Sequence, residues 1–158
     1  MSDWIDKRKQ RELAQEQKTQ TIDKLRLHKA DIVKANAPSL WAALKQCVIG
    51  DSEKLRREFP TDSQYHITFE HRGNDGFVLM SSIMSPRSRV EVEYTGYSLE
   101  IVESKQQSAL TSFVENGRYS ISIRVTQADE IEFYYQSRVY RTPAELSESL
   151  YSYVLEPI

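Results

Sequence analysis

From Tyr65 onward apolar and polar residues alternate with period two, most cleanly along Tyr119-Ser120-Ile121-Ser122-Ile123-Arg124-Val125. Successive side chains of a strand project to opposite faces, so the alternation predicts a sheet with one apolar face and one wet face. Seven strands are predicted, over 65–72, 77–84, 89–95, 97–103, 108–115, 118–126 and 130–141. Turn chemistry separates them at Gly73-Asn74-Asp75-Gly76, Ser85-Pro86, Thr95-Gly96, Asn116-Gly117 and Gln127-Ala128-Asp129. No connection is long enough for a parallel crossover, which makes the sheet an antiparallel meander.

Turn length then sets register. A two-residue turn at Asn116-Gly117 pairs Leu110 with Ile123 and Glu115 with Arg118. A three-residue turn at Gln127 to Asp129 pairs Val125 with Ile131 and Arg124 with Glu132. The Thr95-Gly96 hairpin pairs Val92 with Leu99 and sets Glu91 opposite Glu100, like charges that call for water or a basic partner. Phe77-Val78-Leu79-Met80 is apolar on both faces and needs a second cover, either the first helix or another subunit.

Upstream of the sheet the period changes. Residues 3 to about 36 lack Gly and Pro and are rich in Ala, Leu, Glu, Gln, Lys and Arg, a helical composition, with Ser2 or Asp3 as cap. Between Asp6 and Thr21 only Leu13 and Ala14 are apolar, so this helix has no stripe to bury there and is expected to overhang the body. Asn36-Ala37-Pro38-Ser39 predicts a break or a kink. A second helix follows to about Phe59, striped by Trp41, Leu44, Val48, Leu55 and Phe59, with Gly50 as a second point of division and Pro60 as its end. Thr142-Pro143-Ala144-Glu145 is a capping box that opens a short last helix carrying Leu146, Leu150 and Val154. The fold class is therefore α+β: an antiparallel meander of about six to seven strands, one face covered by helices, with a protruding charged helix over 1–36 and a single domain over 37–158.

Composition narrows the function without naming it. No apolar run approaches a membrane span, and the N-terminus lacks the apolar stretch of a secretory signal. Cys47 is the one cysteine, which leaves no intrachain disulfide and points to the cytoplasm. The net charge of −2 is unevenly placed: residues 1–36 hold nine Lys/Arg and six Asp/Glu, a net +3, and the rest carries −5. A basic segment on an acidic body suits its own body, a neighbouring copy or an acidic partner.

Catalytic signatures are missing: no phosphate-cradling Gly-rich loop, no GxSxG elbow, no HExxH and no CxxC. His66 and His71 stand five apart on one strand, on opposite faces, so no metal and no cofactor is expected. The leading expectation is a non-enzymatic interaction or assembly module that self-associates. Its candidate contacts are Trp4, Ile5, Lys7 and Arg8 on the first helix and Phe113, Arg124 and Tyr134 on the outer sheet face. The alternative is an apolar-ligand cup between helix and sheet around Trp41, Tyr65, Phe69 and Tyr135. Nucleic-acid binding through Lys7, Arg8, Lys9 and Arg11 is a weaker third reading, because Asp3, Asp6 and Glu12 interleave with those cations in the sequence.

Overall fold

Asp3 to Glu58 form one helix, α1, of 56 residues. This computed structural model describes residues 3–59, 66–81 and 87–155. The calls on Ser2, Pro60, Tyr65 and Ser85-Pro86 fall outside those residues. Seven strands follow α1: β1 (Ile67–His71), β2 (Gly76–Ser81), β3 (Arg87–Tyr94), β4 (Ser98–Gln106), β5 (Val114–Val125), β6 (Ile131–Tyr135) and β7 (Arg138–Tyr140). Helix α2 (Pro143–Leu155) closes the chain. The strands pair in sequence order as one antiparallel sheet, and both helices pack on it. The α+β meander expected from the alternation is what forms.

The break expected at Asn36–Ser39 does not occur, nor does a division at Gly50. Pro38 lies inside α1 on the exposed side. The backbone bond it deletes therefore faces solvent, where water can take the freed carbonyl. Beside Pro38, Ala37, Trp41, Leu44, Val48 and Ser52 are all buried, a stripe that continues unbroken past the proline. Burying that stripe outweighs the roughly 3 kcal/mol that proline costs a helix.

The inner sheet face supplies Ile67, Phe77, Leu79, Val90, Val92, Leu99, Ile101, Ile121, Ile123 and Phe133 to one core with α1 and α2. Trp41 stacks on Phe77 (5.6 Å) and on Tyr94 (5.3 Å), and its indole N–H donates to the Asn74 carbonyl at 3.1 Å. Polar bonds sew the two helices together. The Ser147 hydroxyl donates to Asp51 (2.7 Å), and the Tyr151 hydroxyl donates to the Val48 carbonyl (2.6 Å). Burial holds the Tyr151 phenol well above its ordinary pKa of 10.0. An unfolded chain ionises that phenol near pH 10 and the native chain does not. Its contribution to stability is thus whole below pH 10 and falls above it, by about 1.4 kcal/mol per pH unit. Between pH 9 and 11 denaturant unfolding of Tyr151→Phe is expected to lose about 1.4 kcal/mol less in total than the unsubstituted chain; identical alkaline limbs would remove Tyr151 as the source.

Register differs from expectation where local bonding intervenes. The β5–β6 ladder pairs Val125 with Ile131 and Arg124 with Glu132, as the three-residue turn requires. The hairpin expected at Asn116-Gly117 is absent. Residues 108–115 do not form their own strand; β5 begins at Val114 and pairs directly with β4. Ser108 and Thr111 explain this, because Thr111 turns back onto the Ser108 carbonyl through both its N–H (3.1 Å) and its hydroxyl (3.0 Å). Asn116 becomes the extra residue of a bulge, with Gly117 opposite Glu103 and Glu115 opposite Ser104. A Cβ at Gly117 would stand 2.8 Å from a Glu103 carboxylate oxygen. Leu110, expected opposite Ile123, is 98% exposed.

The β3–β4 connection uses four residues, Thr95 to Ser98, so Val92 pairs with Ile101 and Glu93, not Glu91, faces Glu100. A shift of two leaves every side chain on its expected face. The strand expected over 130–141 divides at Gln136-Ser137, where Gln136 takes a φ of 53° and Tyr135 pairs with Arg138. Phe77 and Leu79 lie in the core. Val78, 3% exposed, is closed over on the outer face, where its register neighbours are Glu70 and Glu91. The doubly apolar strand is thus covered within the chain and needs no second subunit.

Candidate functional site: the exposed segment of α1

Every described residue from Asp3 to Asp31 is exposed. At 1.5 Å per residue this is about 44 Å of helix with almost no cover from its own chain. Ile32 and Val33 are the first partly buried positions and Ala37 the first buried one. One tie marks the root of the projection, His28 to Asp129 in the β5–β6 turn at 3.6 Å. Local chemistry sustains the helix without a buried stripe. Asp3 and Asp6 occupy the first turn, and Lys7–Asp3 (3.6 Å), Arg8–Glu12 (3.7 Å) and Arg26–Asp23 (3.6 Å) pair along the surface. Such pairs contribute about 0.2–0.5 kcal/mol each.

Helical geometry sorts the charges that the linear sequence interleaves. With 3.6 residues per turn, Lys7, Arg8, Arg11, Lys18, Arg26 and Lys29 share one arc of about 120° that contains no Asp or Glu. Trp4, Gln15, Ile22 and Leu25 lie on the same arc. All six acidic residues of the segment lie outside it, with Lys9 and Lys24 among them. Two shallow grooves follow this side, one bordered by Trp4, Lys7, Arg8 and Arg11 with Glu12 at its margin, the next by Arg11, Gln15, Lys18 and Ile22. Trp4 is 66% and Ile5 43% exposed, at the far end. Lys18, Arg26 and Lys29 were not singled out from the sequence; counting charges at helical spacing, as one counts apolar residues, would have found them.

The outer-face candidates do not assemble. Phe113 sits in the β4–β5 loop with the Arg89 guanidinium 4.3 Å over its ring. Tyr134 is on β6 beneath Arg124 (4.3 Å), which also bonds Glu132 at 2.8 Å. Three strand spacings, about 14 Å, separate β3 from β6. The Asn116-Gly117 hairpin that would have brought Phe113 toward Tyr134 on the outer face does not form. Arg118 forms an ion pair with Glu115 (2.6 Å), and Tyr140 is buried in the core.

Of the cup residues, Trp41 and Phe69 meet through Phe77, with Phe69 to Phe77 at 5.3 Å. Tyr135 lies against Tyr119 (4.8 Å) on β6, five strands from Phe69 on β1. Packed rings occupy the space between Trp41 and Phe69. Among the described residues no group of three or more His, Cys, Asp or Glu is placed to hold a metal ion, and no helix is long and apolar enough to cross a membrane. No protein-family model, curated protein or solved structure matches this chain. Its function has to be argued from its own residues.

Proposed function

We propose that this chain is a non-enzymatic interaction and assembly module, in which the sheet-and-helix body presents the first half of α1 to a partner, foremost a second copy of the chain. The unbroken exposure from Asp3 to Asp31 carries the reading. Ordering a backbone costs about 1–2 kcal/mol per residue, and this segment has almost no tertiary contact to offset it. A partner along the helix would supply the missing contacts. Trp4 and Ile5 at the tip are the apolar anchors, and Leu13 and Leu27 extend the apolar positions on the side away from the basic arc. The single cysteine fits a cytoplasmic setting.

A small-ligand cup has less in its favour, since Trp41, Phe77 and Phe69 fill one another's faces. Light scattering across a concentration series tests the reading. The full chain is expected to exceed the monomer mass, and the exposed double variant Trp4→Ala, Ile5→Asp to return to it with an unchanged melting temperature. A full chain that stays monomeric at every concentration would end the self-association reading.

A further inference from the structure

We propose that the acid-free face of α1 docks along the phosphate backbone of a nucleic-acid duplex. The charge arrangement selects this occupant. Lys7, Arg8, Arg11, Lys18, Arg26 and Lys29 share one side of the helix, and the six carboxylates of the segment lie outside that arc. From Lys7 to Lys29 the array runs about 33 Å, far longer than one anion could satisfy. Arg11, Lys18 and Lys29 form no ion pair among the described residues, so their charge is unspent. The face has only Trp4, Ile22 and Leu25 as apolar groups, too few for the desolvated core of a protein interface, which is depleted in lysine. A regular polyanion needs no such core, because counterion release supplies the affinity. A bare helix about 10–12 Å across also fits the major groove of a duplex.

The acidic body does not oppose this. Lys7, Arg8, Arg11 and Lys18 lie about 15 Å or more along the helix from its root at His28, beyond a screening length of about 8 Å at physiological salt, and only Arg26 and Lys29 lie near the body. Trp4 lies on the same arc and would meet sugar or base at one end of the contact. The face carries no set of side chains aimed at base edges, so binding is to the backbone and independent of sequence.

The test uses the full chain and a fluorescein-labelled duplex DNA of mixed sequence, read by anisotropy from 50 to 200 mM NaCl. Four to six phosphate contacts predict a slope of log K on log salt between about −3.6 and −5.4, a loss of roughly 10²–10³-fold across that range. Arg11→Glu with Lys18→Glu is expected to weaken binding at least roughly tenfold and to flatten the slope by about 2. Lys9→Glu with Lys24→Glu makes the same change in net charge outside the arc and is expected to leave binding within about threefold. Circular dichroism of both double variants verifies that the helix persists. No binding at 50 mM salt, equal losses in the two double variants, or polyglutamate bound as tightly as the duplex would each overturn the proposal. The last result would assign the face to an acidic protein. Light scattering on the same samples separates this outcome from that of self-association, which does not need Arg11 or Lys18.

Discussion

Leu44→Asp is expected to unfold the domain, whereas Leu25→Asp on the same helix is expected to change its stability by no more than about 0.5 kcal/mol. Leu44 is fully buried between α1 and the sheet, and Leu25 is 53% exposed. A carboxylate at position 44 would be desolvated with no partner in reach. The lost apolar burial and the uncompensated charge together cost about 5 kcal/mol or more, comparable with the whole stability of many domains. Urea unfolding followed by circular dichroism distinguishes the two variants. Equal effects would mean that both halves of α1 are equally buried, or equally bare.

The second large effect is expected at Trp41. Its ring stacks on Phe77 and Tyr94, and its N–H satisfies the Asn74 carbonyl in the loop between β1 and β2. Trp41→Ala is expected to lose about 3–5 kcal/mol, chiefly from the cavity, since the Asn74 carbonyl belongs to an exposed residue and also accepts from Lys45 Nζ (3.4 Å). Trp4→Ala is expected to lose almost nothing from the isolated chain, since Trp4 is 66% exposed. Because Trp4 and Trp41 are the chain's two tryptophans, each single variant also isolates the other's emission. The Trp4→Ala protein should emit at the shorter wavelength of a buried indole. Emission at long wavelength from native Trp4→Ala would contradict the packing described for Trp41.

The faces of the sheet were legible in the sequence; its hairpins were only partly so. Alternation reports which side a residue faces, and a slip of two leaves that report intact, as at Val92 and Glu93. Alternation does not report which strand lies alongside. Asn116-Gly117 has the composition of a hairpin turn, yet the same residues serve a bulge when β4 is the available partner. Gln136-Ser137 turns the chain without Gly, Pro or Asn, so the sequence left open whether a turn divides the strand there. Seven strands were therefore expected and seven found, through one strand too many before Asn116 and one too few after Glu130.

The helix was legible in a similar way. The absence of an apolar stripe between Asp6 and Thr21 foretold the exposed stretch. The proline rule failed at Pro38 because it prices a local bond, while the stripe from Ala37 to Ser52 is priced by tertiary burial. The basic arc was obscured for another reason. Asp3, Asp6 and Glu12 interleave with the cations in the sequence, whereas around the helix Asp3 and Glu12 flank the arc, paired with Lys7 and Arg8 at its edges, and Asp6 lies behind it.

The most direct test is hydrogen–deuterium exchange of the α1 amides in dilute and in concentrated protein, without nucleic acid. A helix lacking tertiary cover frays readily, whereas a buried one opens only with the domain. Rapid exchange is expected over residues 3–31 and slow exchange over 37–52 when the protein is dilute, with the first segment becoming protected as concentration rises. Residues 3–31 as slow as 37–52 at the lowest concentration would mean that the leading helix is held by its own chain, contradicting its exposure from Asp3 to Asp31.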